Sequence, residues 1–308
     1  MTLLLISATG GGACFAETRD DLLSRCLDVE VGRDQGQADE SCARAIREGA
    51  ADAHWIANEL TESARPSNEK GQDAAWASAI HQRALRYEPD DATLYFWASI
   101  TAGTQSKYDE AIDLLTKAID LNPLYADAYS SRGGLYEFRM HDRARALADY
   151  TAAISVSREP IHLINRGNAY YASGDYQRAF ADYDAAAARE PQNAYYRQWA
   201  CKDRAEAGLE LDRATQECET VLRVSHQEWP TALYALGLIS LRRNAPEAAA
   251  TYFQRAFAAN DLPLYQYARG VALRRMGRRA EGDAEVAAAT EAWADAPEWF
   301  ASTGIAPE

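Results

Sequence analysis

The apolar positions between Ile161 and Pro191 recur on helical periods. Leu163, Gly167 and Tyr170 stand at i, i+4 and i+7, as do Ala179, Tyr183 and Ala186, so each trio lies along one face of a helix. Two stripes predict two helices packed face to face. Between them Gly174 can take the left-handed conformation that closes the first helix, and Asp175 can accept from the free N–H groups that open the second. Pro191 ends the second helix, because it has no N–H to donate and forces Glu190 out of the α region. Small residues at Gly167, Ala179 and Ala186 let the two backbones approach, with Tyr170 and Tyr183 filling the space beside the crossing.

The same pattern returns along the chain. Asp91 to Pro123 is in register through Tyr95, Ala98, Ser99, Ala111, Leu115 and Ala118, and Ser99, Gly133 and Gly167 are evenly spaced by 34 residues (133 − 99 and 167 − 133). Leu124 to Arg158 carries Tyr129, Gly133, Tyr136, Ala146, Tyr150 and Ala153, with one extra residue in the turn near His141. Asn193 to Val224 diverges: Cys201 replaces the crossing glycine, Gly208 marks the turn, and Ala214 and Cys218 follow one residue late. Trp229 to Ala259 returns to the pattern with Leu233, Gly237, Ala249, Phe253 and Ala256, and Leu262 to Ala289 with Gly270, Leu273, Gly277, Gly282 and Val286. Upstream, Gln72 to Tyr87 supplies half a copy, preceded by helices expected over Glu17 to Glu30, Ala38 to Glu48 and Ala51 to Arg65.

A 34-residue helix-turn-helix period with Gly, Tyr, Ala, Tyr, Ala and Pro at these offsets resembles the tetratricopeptide repeat, and the stretch NRGNAYYASGDYQRAFADYDAAAAREP at residues 165–191 is close to that family's consensus. The resemblance implies an all-α fold, a right-handed superhelical solenoid of about six helix pairs. It also implies that the first helix of each pair lines a concave face that holds a peptide or a partner helix. The expected organisation is a signal peptide over 1–16, a helical N-terminal cap over 17–69, the repeat array over 70–292 and a C-terminal cap over 293–308 with Trp293, Pro297, Trp299 and Phe300. The early segment, with Cys26 and CARAI at 42–46, is similar to exported bacterial members of the family.

Composition agrees with helices: alanine is abundant and the 10 prolines punctuate the chain. The net charge of −14 repels nucleic acid and anionic membrane surfaces, so neither is an expected partner. Arg242–Arg243, Arg274–Arg275 and Arg278–Arg279 read as solvated helix ends. Leu3 to Ile6 form an apolar run followed by small residues up to Ala16, the pattern of a secretory signal, although no Lys or Arg precedes Arg19. The run is too short to span a membrane. Gly11-Gly12-Ala13 lacks the large apolar residue that would make Cys14 a lipoprotein site. A periplasmic or secreted protein is expected, with a cytoplasmic one as the alternative.

The five histidines, His54, His81, His141, His162 and His226, fall singly, without His-Glu-x-x-His or Cys-x-x-Cys spacing, and no phosphate loop is present. No metal, cofactor or catalytic constellation is expected, and hence no enzyme. Asp109, Glu110, Asp175 and Glu247 fit helix N-termini, and Gly133 of Arg132-Gly133-Gly134 is accounted for by the crossing. Some family members clamp a C-terminal carboxylate with lysine, asparagine and arginine. Asn165 and Asn168 match two asparagine-type positions, but Ser130, Tyr195 and Trp199 stand where cations are needed, so the clamp is absent as a set.

Two expectations concern particular side chains. Cys201 and Cys218 face each other across one crossing and Cys26 and Cys42 are local, so the disulfides Cys26–Cys42 and Cys201–Cys218 are expected, with four buried thiols as the alternative. On the first helices, the positions not used by the hairpin are Phe96, Ile100, Ile164, Asn168, Tyr171, Tyr195, Gln198, Lys202, Tyr234, Leu238, Tyr267 and Arg274. A solvated face would carry charges; this row is mostly apolar and aromatic and reads as a groove for a protein or peptide partner. The alternative function is a structural or assembly subunit of a cell-envelope complex.

Overall fold

The computed structural model describes residues 19–27, 35–48, 51–64 and 74–306. The signal expected over 1–16 lies outside them. Every regular element among the described residues is a helix, and the architecture is an array of helix hairpins. The chain divides into two compact units, Met1–Ala128 and Tyr129–Glu308. The first contains α1 (Arg19–Cys26), α2 (Gln35–Arg47), α3 (Ala53–Ala64), α4 (Ala74–Tyr87), α5 (Ala92–Thr104) and α6 (Tyr108–Leu121). The division falls within α7 (Ala126–Phe138). The second continues with α8 (Arg143–Val156), α9 (Pro160–Ala172), α10 (Tyr176–Arg189), α11 (Ala194–Ala207), α12 (Leu211–Ser225), α13 (Pro230–Arg242), α14 (Pro246–Ala259), α15 (Pro263–Arg275), α16 (Arg279–Ala292) and α17 (Ala296–Ala301).

The helix ends follow from local chemistry. Side chains of Asp91, Asp142, Asp175 and Asn193 accept from the first-turn N–H groups of Thr93, Arg145, Arg178 and Tyr195 at 2.7–3.2 Å. Pro160, Pro230, Pro246 and Pro263 open their helices from the first turn, where no N–H is missed. Gly174 closes α9 with φ 78° as expected, and the extra turn residue His141 takes φ 53°.

Within each pair the crossing is as close as the small residues allow. A Cβ placed on Gly167 would lie 2.6 Å from Tyr183 Cε1 and 3.3 Å from the Ala179 carbonyl; on Gly133 it would lie 2.8 Å from Tyr150 Cε1. Phe253 covers Gly237 in the same way, and at Gly270 the facing atom is the Gly282 carbonyl, 2.8 Å from such a Cβ. The facing rings are buried, Tyr183 at 0% exposure and Tyr150 at 2%. Where Cys201 replaces the glycine, a disulfide to Cys218 joins α11 and α12. A second, Cys26–Cys42, joins α1 and α2 inside the core of the first unit with Ile56, Leu60 and Ile80. In the chain-entropy model each such local bridge contributes about 3 kcal/mol.

Two predictions follow from the packing. Gly167→Leu forces a branched side chain into the Tyr183 ring, and overpacking of this kind costs about 1–3 kcal/mol, so the thermal midpoint should fall; an unchanged midpoint would remove Gly167 from the crossing. In the first unit, His81 is buried with its Nδ1 3.2 Å from Thr101 Oγ1, and burial pushes its imidazole down to about 4 from 6.5. The unfolded chain therefore takes up the proton first as pH falls. The associated stability is intact above pH 6.5 and lost progressively toward pH 4, on the order of 3 kcal/mol in total. Urea titrations of His81→Gln across that window should show a smaller acid loss than the parent.

Candidate functional site

The first helices of the second unit form a row. α11 packs on both α9 and α13, and α13 meets α15 through Tyr234 and Tyr265, whose ring centroids are 5.4 Å apart. The groove positions read from the sequence divide over this row. Ile164, Tyr234, Leu238 and Tyr267 are buried: Ile164 packs in the α9–α10 core, and the other three share one cluster with Phe253, Phe300 and Ile305. Arg274 is drawn to α16, its Nε 2.7 Å from Asp283 Oδ1. Phe96 and Ile100 belong to the first unit and are half-buried, the Phe96 ring lying 5.1 Å from Tyr125.

Asn168, Tyr171, Gln198 and Lys202 remain half-buried on α9 and α11, and Tyr195 is exposed. Gln198 Oε1 accepts from Trp229 Nε1 at 2.9 Å, fixing the start of α13 against α11. Beside it Tyr195 and Trp229 line an open cleft of about 630 Å³ with Glu190, Asn193 and Val224.

At the other end of α11 the side chains form a polar network. Tyr183 Oη lies 2.6 Å from Asp203 Oδ2 and 2.8 Å from Asn168 Oδ1, so the crossing aromatic of α10 is anchored to two first helices. Lys202 pairs with Asp203 and, at 3.0 Å, with Glu206, while its ammonium sits 6.0 Å from the Tyr171 ring and 5.7 Å from that of Trp199. Burial opposes the lysine charge, but Asp203 and Glu206 outweigh it and hold Lys202 protonated, above its ordinary range. Burial raises the Glu206 carboxyl despite Lys202, and burial with Asp203 and Glu206 raises the Tyr171 phenol. Arg242 reaches across from α13 and donates to the Ala205 and Glu206 carbonyls at 2.7 and 2.8 Å, capping the C-terminal end of α11. That corrects the expectation of a solvated helix end: the neighbouring helix offers it unsatisfied carbonyls. Asp203 and Glu206 were not singled out in the sequence. The Lys202/Glu206 spacing of i, i+4 was visible but reads equally as an exposed helix pair.

A second device runs beside the crossings. Arg132 holds Asp149 through two hydrogen bonds of 2.9 and 2.8 Å, and Arg166 holds Asp182 through two of 2.8 Å. Arg269 pairs with Glu285, at the 16-residue separation of Arg166 and Asp182. Each arginine precedes a crossing glycine and each acid precedes a residue that packs on that glycine, Tyr150, Tyr183 or Val286, a signal legible in retrospect. Among the described residues no group of three or more His, Cys, Asp or Glu side chains is placed to hold a metal ion, and no helix is long and apolar enough to cross a membrane.

Models of the tetratricopeptide repeat match residues 163–193 and, separately, 74–126, 99–137 and 204–263. The chain belongs to the tetratricopeptide repeat family. Stress-induced-phosphoprotein 1 of Caenorhabditis elegans is 23% identical over 192 residues, which cover 50% of this chain and 58% of that protein. The chain thus spans little more than half of this relative. Among solved structures, the type IV pilus biogenesis factor PilW is similar with a TM-score of 0.57 and 19% identity over 66% of this chain and 93% of PilW. The APC/C hetero-tetramer Cut9-Hcn1 gives 0.60 at 11% identity, over 92% of this chain and 54% of its own. At these identities the structures establish the solenoid fold.

In this tetratricopeptide repeat protein the Tyr183 hydroxyl ties a hairpin crossing to the next first helix. Tyr183→Phe keeps the ring over Gly167 and removes the hydroxyl contacts to Asp203 and Asn168, so the buried Asp203 carboxylate loses its phenol donor and keeps its pairing with Lys202. A loss of about 1–3 kcal/mol is expected, read as a lower denaturant midpoint; full retention of stability would show that Asp203 does not depend on the phenol.

Proposed function

We propose that the face made by α9, α11 and α13 is where this protein-interaction scaffold holds a segment of a partner protein, and that it does so without catalysing a reaction on it. The observation that carries the reading is the fixed network under the face. Lys202 and Asn168 present half-buried surfaces while their polar ends are held by Asp203, Glu206 and Tyr183, and the half-buried Tyr171 ring lies 6.0 Å from the Lys202 ammonium and 5.2 Å from the Tyr176 ring. A partner that docks there meets side chains whose ordering is already complete, which lowers the entropic cost of binding. Tyr195 and Trp229 extend the face with a cleft and an exposed aromatic. The partner is a protein or peptide; with a net charge of −14, nucleic acid and anionic membranes are disfavoured. The two disulfides support placement in an oxidising compartment, periplasmic or extracellular.

The test starts from partners captured on the full chain and identified by mass spectrometry. Tyr171→Ala or Tyr195→Ala should weaken the captured complex by about tenfold or more, in the range of central aromatic hot spots, with an unchanged thermal midpoint. Tyr234→Ala should instead lower the midpoint, since that ring is in the core. Normal binding by both surface variants would move the site elsewhere. Sedimentation of the purified chain addresses assembly: a stable self-associated species without a captured partner would favour an envelope assembly subunit.

A further inference from the structure

The last helix continues the first-helix row. Tyr234, Tyr267 and Phe300 are spaced by 33 residues (267 − 234 and 300 − 267), and the Tyr267 and Phe300 rings lie 5.4 Å apart. α17 therefore occupies the position of a further first helix, but it ends at Ala301. Ser302 to Gly304 form the turn that closes α17, with the Thr303 and Gly304 N–H groups donating to the Phe300 and Ala301 carbonyls and Gly304 at φ 73°, and Ile305 and Ala306 then return over the helices that precede α17. The Thr303 carbonyl accepts from the Arg242 guanidinium of α13, and the Ala306 carbonyl accepts from Arg275 Nη2 of α15 at 2.9 Å. Ile305, 6% exposed, joins the buried cluster that contains Tyr234, Leu238 and Tyr267.

We propose that α13 and α15 form a docking surface for an extended partner segment, held by its main-chain carbonyls on Arg242 and Arg275 with an aliphatic side chain at the Ile305 position, and that residues 302–306 are the intramolecular occupant of that surface. The inference rests on the reading that the first-helix row binds protein segments, and names the chemistry of one part of it. Arg242 is held in place by the α11 carbonyls of Ala205 and Glu206, so its remaining donor stays aimed when the strap leaves. Carbonyl recognition tolerates many sequences, and the aliphatic pocket supplies the selection. The Tyr234 hydroxyl, close enough to Arg242 to feel its charge, is buried without a hydrogen-bonding partner. A partner segment that offers it an acceptor gains over the strap.

The probe is a fluorescent peptide with the sequence of residues 299–308, titrated by anisotropy against the full chain. Ile305→Ser in the protein loosens the strap and leaves both arginines and Phe300 in place. It should bind the peptide about tenfold or more tighter than the parent, because the competent fraction of the surface rises, and adding Arg275→Gln should reverse much of that gain. Equal affinity of parent and Ile305→Ser, with both folded, overturns the proposal. Hydrogen exchange on the parent covers the case in which that variant does not fold: amides of residues 303–306 should exchange about 100-fold faster than the centre of α15 by local opening, and protection equal to α15 makes the segment a fixed cap and overturns it. If the strap fails while Tyr171→Ala still weakens a captured partner, the interaction reading stands. If the peptide binds as expected while Tyr171→Ala and Tyr195→Ala hold the partner normally, it is that face that fails.

Discussion

Close approach of two helix backbones within each pair is the constraint on which the rest of the second unit depends. Gly133, Gly167, Gly237 and Gly270 leave no room for a Cβ, and the facing residue closes the gap: Tyr150, Tyr183, Phe253, or the backbone at Gly282. An aromatic over a glycine fixes both the depth and the register of the pair, because the ring has one flat surface to rest on. The pair in which Cys201 replaces glycine cannot close this way, and there a disulfide sets the separation instead. In a near-one-dimensional array such local settings accumulate. They determine where the first helices stand relative to each other, and so which of their residues remain at the surface.

Charge acts on that frame mainly through pairs. The chain is strongly acidic, yet the arginines beside the crossings are each committed to a carboxylate: Arg132 to Asp149, Arg166 to Asp182, Arg269 to Glu285. Arg204, fully buried, joins Asp184 of α10 to Glu210 beyond its own helix and stacks 4.6 Å from the Phe180 ring. Burying such pairs gives little net stability, since desolvation offsets much of the attraction, but breaking one leaves an uncompensated charge. Their value here is positional. A helix that slid by one turn along its neighbour would strand several charges at once.

The sequence made the hairpins legible because their signal is local. Crossing glycines, facing aromatics, turn residues and prolines lie within one period of 34 residues, and the chain repeats them. The cysteine pair at 201 and 218 was legible for the same reason, since its members occupy known positions of one hairpin. Legibility ended where a residue's environment is made by the next repeat. Tyr234, Leu238 and Tyr267 stand off the crossing stripe of their pairs, so subtraction left them as groove residues, but their own partner helices, the neighbouring helices and the C-terminal segment enclose them in a common cluster. Arg242 was hidden similarly: its partners are carbonyls of α11 and of residue 303, 36 to 61 positions away, and backbone acceptors leave no trace in side-chain patterns.

Each first helix from α9 to α13 is covered on one side by the next, and α15 is covered by a much shorter element. α17 has six residues, placing Phe300 on Tyr267 and leaving Trp299 exposed at 53%. A helix so short covers only the start of α15. The C-terminal ends of α13 and α15 carry Arg242 and Arg275, and the chain meets them by turning at Gly304, with Ile305 packed in the buried cluster. The same geometry lays the segment after α17 across α13 and α15, the surface proposed above to accept a partner segment. The labour at this end is divided: Phe300 and Ala296 close the core, Ser302 to Gly304 are tied to α17 by backbone hydrogen bonds with the Thr303 carbonyl on Arg242, and Ile305 and Ala306 beyond them rest on the buried cluster and on Arg275.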